Sequence, residues 1–230
     1  MSGHLFEQLL DLAAGTVLLG AVTVVWRRNV RALVRILAVQ GAALGVLVAV
    51  LAARHGDGAM LAIAVMVFAL KGCFVPWLLG QAAAGPGGRG AGGRGAGGTS
   101  ETESVVNVPA SLLAAAGLTA LAYAVSRPVV ALDPANPALQ AAPIGVAVFL
   151  IGFFVLLTRH RAISQVVGFL LIDNGIATVA FLTVDGVPLV VELGASLDLV
   201  LAVLILQVLT ARIRRTFGDT DLDGLKELHD

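Results

Sequence analysis

LQAAPIGVAVFLIGFFVLLT, residues 139–158, runs for twenty residues without one charge. It closes on the basic turn Arg159-His160-Arg161, and a second apolar run, AISQVVGFLLIDNGIATVAFLTV, follows at once over 162–184. A helix needs about 20 mostly apolar residues to cross the hydrocarbon core of a bilayer. Both runs have that length, so the pair reads as an antiparallel hairpin of membrane helices.

Working outward, the same signature recurs near 8–26, 34–53, 59–80, 105–126 and 187–211, which predicts about seven transmembrane helices in an all-α, polytopic membrane bundle. Composition agrees: 58% of residues are hydrophobic, 13% are charged, and the mean hydropathy is +0.93. Soluble domains carry about 45–50% apolar and about 25% charged residues, and cannot hide this much apolar surface. The formal net charge is zero, so no basic field argues for a nucleic-acid partner.

Breakers mark the loops. His55-Gly56-Asp57-Gly58 ends the second helix, and Asp133-Pro134-Ala135-Asn136-Pro137 separates the fourth from the fifth. Residues 81–104 form a linker whose GPGGRGAGGRGAGGTSETES stretch (85–104) has the composition of flexible coil. After the last span, Leu222, Leu225 and Leu228 recur at helical spacing among Asp221, Asp223, Lys226 and Glu227. That pattern predicts an amphipathic tail over 214–230 that docks on a partner. Glu7 and Asp11 stand where a cleaved leader would carry basic residues, so the N-terminus reads as the start of the first helix.

Lysine and arginine fall mostly on one side. Arg27, Arg28, Arg31, Arg35, Arg89, Arg94, Arg159, Arg161, Arg212, Arg214, Arg215 and Lys226 share it, against Arg54 and Arg127 on the other. The positive-inside rule places the crowded side in the cytoplasm, the N-terminus outside and the C-terminus inside. Seven crossings satisfy that parity. A faint internal repeat accompanies it. Aligning Arg28 with Arg161 sets Gln40 opposite Asp173, and Asp57-Gly58 and Asp185-Gly186 each precede the third helix of a triplet. The triplets run parallel, 1–80 and 139–213, and the helix at 105–126 is the odd crossing that restores direction between them.

The informative residues are those out of place in hydrocarbon, where a charge at a helix centre costs about 2.5–3.5 kcal/mol on insertion scales. Gln40, Lys71, Asp173 and Asp198 lie near mid-helix, Asn174 adjoins Asp173, and Glu192 lies toward the outer part of the last helix. Glu192 and Asp198, six residues apart, sit roughly 120° apart around their helix and about 9 Å along it. Ionisable residues at this depth face a bundle interior, a water path or a partner. Asp173, Asp198, Glu192 and Lys71 are therefore candidates for a proton path, with Gln40 and Asn174 in support. The alternative is that such groups only hold helices together: a buried Asp-Asn pair hydrogen-bonds across helices, and Lys71 pairs with Asp198.

Other chemistry has no footing here. Gly85–Gly98 lacks the Lys-Ser/Thr that ends a phosphate-binding loop, and the histidines at 4, 55, 160 and 229 are scattered near the membrane surfaces. The one cysteine, Cys73, cannot form an internal disulfide. Nothing in the sequence supplies a cofactor site, a metal site or a catalytic centre.

The segment from His160, HRAISQVVGFLLIDNGIATVAFL followed by VDGVPLVVELGASLDLVLAVLILQVLTARIRRTFGDTDLDGLKEL, resembles the hydrogenase-4 component E family. The resemblance centres on 157–228, with its Asp-Asn-Gly, its VELG-SLD run and its TFGDTDLDGL tail; the first half fits in helix count and at Lys71-Gly72 to Pro76. That family comprises membrane subunits of group 4 [NiFe]-hydrogenase and formate hydrogenlyase-type complexes, and is related to subunit K of respiratory NADH-quinone oxidoreductase. The resemblance implies antiporter-like and quinone-subunit-like membrane partners, soluble Fe–S and [NiFe] subunits, and a place in the cell membrane. Against subunit K, Gly168 and Asn174 match the neighbours of its first membrane glutamate, whose own position falls on Leu170, and the second falls near Leu197 or Asp198. The carboxylates here are displaced from that pattern. Two other readings stand beside a proton-translocating subunit: a purely structural scaffold subunit, and a stand-alone secondary transporter built from the repeats.

Overall fold

A computed structural model describes residues 3–27, 29–83, 107–159 and 162–183, and every regular element among them is helical. Six stretches are long and apolar enough to cross a membrane. They are α1 (Gly3–Trp26), α2 (Val30–His55), a broken third span made of α3 (Gly58–Val67), a π-helical segment (Phe68–Phe74) and α4 (Val75–Ala83), then α5 (Val108–Val130), α6 (Pro137–Thr158) and α7 (Ala162–Thr183). Among the described residues the protein is thus all-helical, with the six apolar spans of a multi-pass membrane protein. Residues 81–83 of the linker expected over 81–104 are helical, the end of α4; the rest of the linker, the expected helix at 187–211 and the tail at 214–230 lie outside the described residues, as do the seventh crossing on which the parity argument rests and the last helix of the second triplet.

Polar residues in the turns act as caps. Asn29, Asp57 and Asn136 each accept a backbone N–H two residues on, at 2.9, 2.8 and 3.0 Å, and so start α2, α3 and α6. Gly56, at φ 68°, ends α2 in the left-handed conformation that only glycine adopts without strain. Five boundaries differ from the hydropathy reading by three residues or more: α1 starts at Gly3, not 8, α2 at Val30, not 34, the third span runs to Ala83, not 80, and both ends of α5 move. Helix α5 starts at Val108, not 105, because Pro109 is pre-set for the first turn. It also runs past Arg127 and Pro128 to Val130, since a proline near the last turn removes little of the hydrogen-bond ladder.

Proline also breaks the third span. Pro76 has no N–H, and its ring crowds the carbonyl four residues back, at Gly72. The helix widens just before it: the N–H of Val75 bonds to Leu70 O, five residues back.

Packing follows small residues, since lipid supplies no hydrophobic drive between helices. Gly145 and Gly152 on α6 face Gly175 and Gly168 on α7, each pair seven apart in sequence. A Cβ on Gly152 would lie 2.7 Å from the backbone nitrogen of Ile172, and one on Gly168 would lie 2.8 Å from that of Leu156. The two backbones therefore touch along the helix pair. The α1–α2 hairpin packs on the α6–α7 hairpin, α1 against α6 and α2 against α7. Helix α5 is peripheral and buries only Ser111, Ala115, Ala122 and Ser126.

Candidate functional site

Two oppositely charged side chains meet halfway along their spans. Asp173 is eleven residues from Ala162 and ten from Thr183 on α7, and Lys71, in the π-helical segment, is thirteen from Gly58 and ten from Gln81. Lys71 Nζ stands 2.7 Å from Asp173 Oδ2, with the lysine side chain 5% exposed and the aspartate 16%. Each charge offsets the other's cost in a poorly solvated setting, where an isolated ion would be strongly disfavoured.

A second polar layer lies against this pair. Gln40 on α2 is fully buried, and its Nε2 donates to Val17 O of α1 at 2.8 Å. Its Oε1 accepts from Nδ2 of Asn174 at 3.2 Å. The hydroxyl of Thr178, also fully buried, donates to Asn174 O at 2.6 Å. Adjacent residues on α7 thus reach two neighbours: Asp173 takes the third span, and Asn174 takes α2 and through it α1.

Glycine makes this convergence possible. Gly41, next to Gln40, lies against the π-helical segment, and a Cβ there would run into the carbonyl of Lys71. One turn on, a Cβ at Gly45 would lie 2.7 Å from Phe68 Cβ. The close approach brings Lys71 within reach of α7 across the α2 backbone.

Two further features occupy the ends of the bundle. At one end, Arg159 is buried, and its Nη2 donates to Val25 O at 3.0 Å and to Arg27 O at 3.4 Å. Carbonyls at a helix C-terminus lack intrahelical partners and favour a cation, so this side chain ties the end of α6 to the end of α1. The two helices therefore run the same way. At the opposite end a cavity of about 370 Å³ opens between Phe6, Leu51, Arg54, Asp133, Phe181 and Leu182, among others. The Arg54 guanidinium lies 5.0 Å from the centre of the Phe6 ring.

Of the residues singled out in the sequence, the structure brings Lys71 to Asp173 and Gln40 to Asn174. Asp198 and Glu192 lie outside the described residues, and with them any Lys71–Asp198 pairing. Two residues escaped the sequence reading. Arg159 reads there as a surface charge, and nothing in its neighbourhood signals burial. Thr178 reads as one threonine in an apolar run, although its position four residues after Asn174 was visible. Among the described residues, no three His, Cys, Asp or Glu side chains gather as metal ligands would.

Comparison with known proteins places the chain beside two kinds of relative. The uncharacterized protein Rv0085 of Mycobacterium tuberculosis is 48% identical over 230 residues, the full length of both chains. Hydrogenase-4 component E of Escherichia coli K12 is 29% identical over 120 residues, 52% of this chain and 56% of that protein. The protein of the same name from Shigella flexneri matches to the same extent. The likeness to hydrogenase-4 component E therefore spans about half of each chain. No family model matches, and neither does any solved structure.

Proposed function

The chain belongs to the family of the mycobacterial protein Rv0085; for its function we propose that it is a membrane-arm subunit of a hydrogenase-type, complex-I-like redox complex that contributes to proton or cation translocation. The observation that carries this reading is the Lys71–Asp173 ion pair at mid-span. A carboxylate held at that depth by a cation can take up a proton when the cation moves and release it when the cation returns. That exchange needs no redox cofactor in this chain. The half-length likeness to hydrogenase-4 component E supports the choice of complex.

In this reading Asp173 and Lys71 are the switching pair, and Gln40 and Asn174 hold α7 in register. Asp198 and Glu192 supply further carboxylates on the next helix. The partners are antiporter-like and quinone-subunit-like membrane proteins, with soluble Fe–S and [NiFe] subunits beyond them. The N-terminus faces outward, and the two triplets form parallel repeats. The polar layer favours one other reading, a scaffold subunit, because Gln40–Asn174 and Lys71–Asp173 would also fasten the two hairpins together with no proton moving.

Affinity purification of the tagged chain from its native membrane tests the assignment of partners. The expected result is recovery of antiporter-like and hydrogenase-type subunits in fixed stoichiometry. Recovery of the chain alone, active as an ion carrier in liposomes, would instead support a stand-alone transporter.

A further inference from the structure

Helix α1 carries a carboxylate on its outer surface well inside the span. Val17 O accepts from Gln40 Nε2, so Val17 stands level with the mid-span polar layer. Asp11 comes six residues earlier on the same helix, about 9 Å along its axis. Half of a hydrocarbon core is about 15 Å, so Asp11 lies about 6 Å inside it. Its side chain is exposed, and among the described residues no cation forms an ion pair with it. An aspartate is too short to reach the head groups as a lysine or arginine would, and a charge left against lipid at this depth is costly. One turn on, Gly15 is exposed too, and a Cβ there would meet nothing within 4 Å. Leu12 and Leu19 flank it, 68% and 67% exposed. Gly15 stands four residues from Asp11, three from Leu12 and four from Leu19, so the four share one face. The buried Leu10, Ala14, Val17 and Ala21 lie on the other.

We propose that this face of α1 seats a transmembrane helix of another membrane subunit, which crosses closely at Gly15 and presents a lysine or arginine to Asp11. Small residues let two backbones approach where lipid supplies no hydrophobic drive, and Leu12 and Leu19 wall the notch that Gly15 leaves. Charge selects the occupant. Residues 187–211 of this chain carry Glu192 and Asp198 and no cation, so they do not complement the face. A second copy, packed about a twofold axis along the membrane normal, would set Asp11 against its own counterpart, carboxylate to carboxylate. Arg54, at the end of the bundle where α1 begins, lies over the Phe6 ring instead. A helix from another chain, with a cation level with Asp11, satisfies the carboxylate and fills the notch together. The inference rests on the reading that the chain works within a membrane complex, and is independent of whether protons move at Asp173.

The test uses the complex in its native membrane. A photoreactive phenylalanine analogue in place of Leu12 is expected to join this chain to one other subunit, through a transmembrane peptide that contains lysine or arginine. An adduct with residues 187–211, with a second copy of this chain or with lipid alone would overturn the inference. Asp11→Lys is expected to lower several-fold the partner recovered with the tagged chain, and Asp11→Asn to lower it less. Asp11→Glu, which keeps the charge, is expected to hold recovery near the wild-type level. Replacing the cation of the cross-linked peptide by aspartate should restore recovery with Asp11→Lys. Because the Asp11 side chain is exposed, the chain itself should reach the membrane in wild-type amounts in all three variants. Undiminished recovery with either Asp11→Lys or Asp11→Asn would overturn the pairing and leave the membrane-complex assignment in place. A wild-type chain that recovers no other membrane subunit would overturn both.

Discussion

Lys71→Met is expected to cost about 3–5 kcal/mol of stability, the penalty of leaving one partner of a buried ion pair uncompensated. The double variant Lys71→Met/Asp173→Asn is expected to regain most of that loss. The reasoning is local. Lys71 Nζ is 2.7 Å from Asp173 Oδ2, with both side chains largely out of solvent. Removing the cation strands a carboxylate at the depth where a charge is least tolerated. Neutralising both leaves an amide beside a thioether, which desolvates far less. The cycle is read from the temperature at which the purified complex loses this subunit. Two additive single effects, with no recovery in the double variant, would show that the two groups do not interact. The regained stability would not bring back proton movement, because neither remaining group titrates.

Gly41→Val is expected to abolish accumulation of the folded subunit, an effect larger than the 1–3 kcal/mol typical of overpacking. Overpacking is usually relieved by side-chain rotation, but here the atom in the way is the backbone carbonyl of Lys71. Valine at this position must push the third span off α2, and Lys71 then moves out of reach of Asp173. Gly80→Val is the control: it lies on the third span, and its nearest neighbour is a side-chain methyl of Val34 on α2, at 3.9 Å. Membrane-fraction immunoblots of the two variants check the expectation. Equal wild-type levels would mean that the close crossing at Gly41 is not required.

The elements of this fold lay near the surface of the sequence. Twenty uncharged residues at 139–158 and the basic turn after them were enough to place α6 and α7, and Asp57 and Asn136 were visible in breaker segments before they were seen as caps. The third span was harder. A hydropathy window reads 59–80 as one helix, and only the proline at 76, considered with the carbonyl behind it, hints that the turn containing Lys71 is wider than α. The site was half legible. Lys71, Asp173, Gln40 and Asn174 stood out because they are polar at mid-span. Which of them touch depends on crossings set by Gly41 and Gly45, and glycine in an apolar run gives no sign of its neighbour. Arg159 shows the opposite limit: a charge at a helix end looks exposed, and only the third dimension reveals that it reaches the final carbonyls of α1.

The central claim is that the Asp173 carboxylate takes part in moving protons. Asparagine keeps its shape and its capacity to hydrogen-bond but cannot titrate. The most direct measurement is therefore proton uptake by sealed vesicles carrying the Asp173→Asn complex, normalised to hydrogenase turnover with an artificial electron acceptor. The account predicts that less complex assembles, because Lys71 is left without its carboxylate, and that the complex that does assemble turns over normally and translocates many-fold fewer protons per turnover. Wild-type translocation in that assembled variant would contradict it, and would leave Lys71–Asp173 as a fastening between two hairpins.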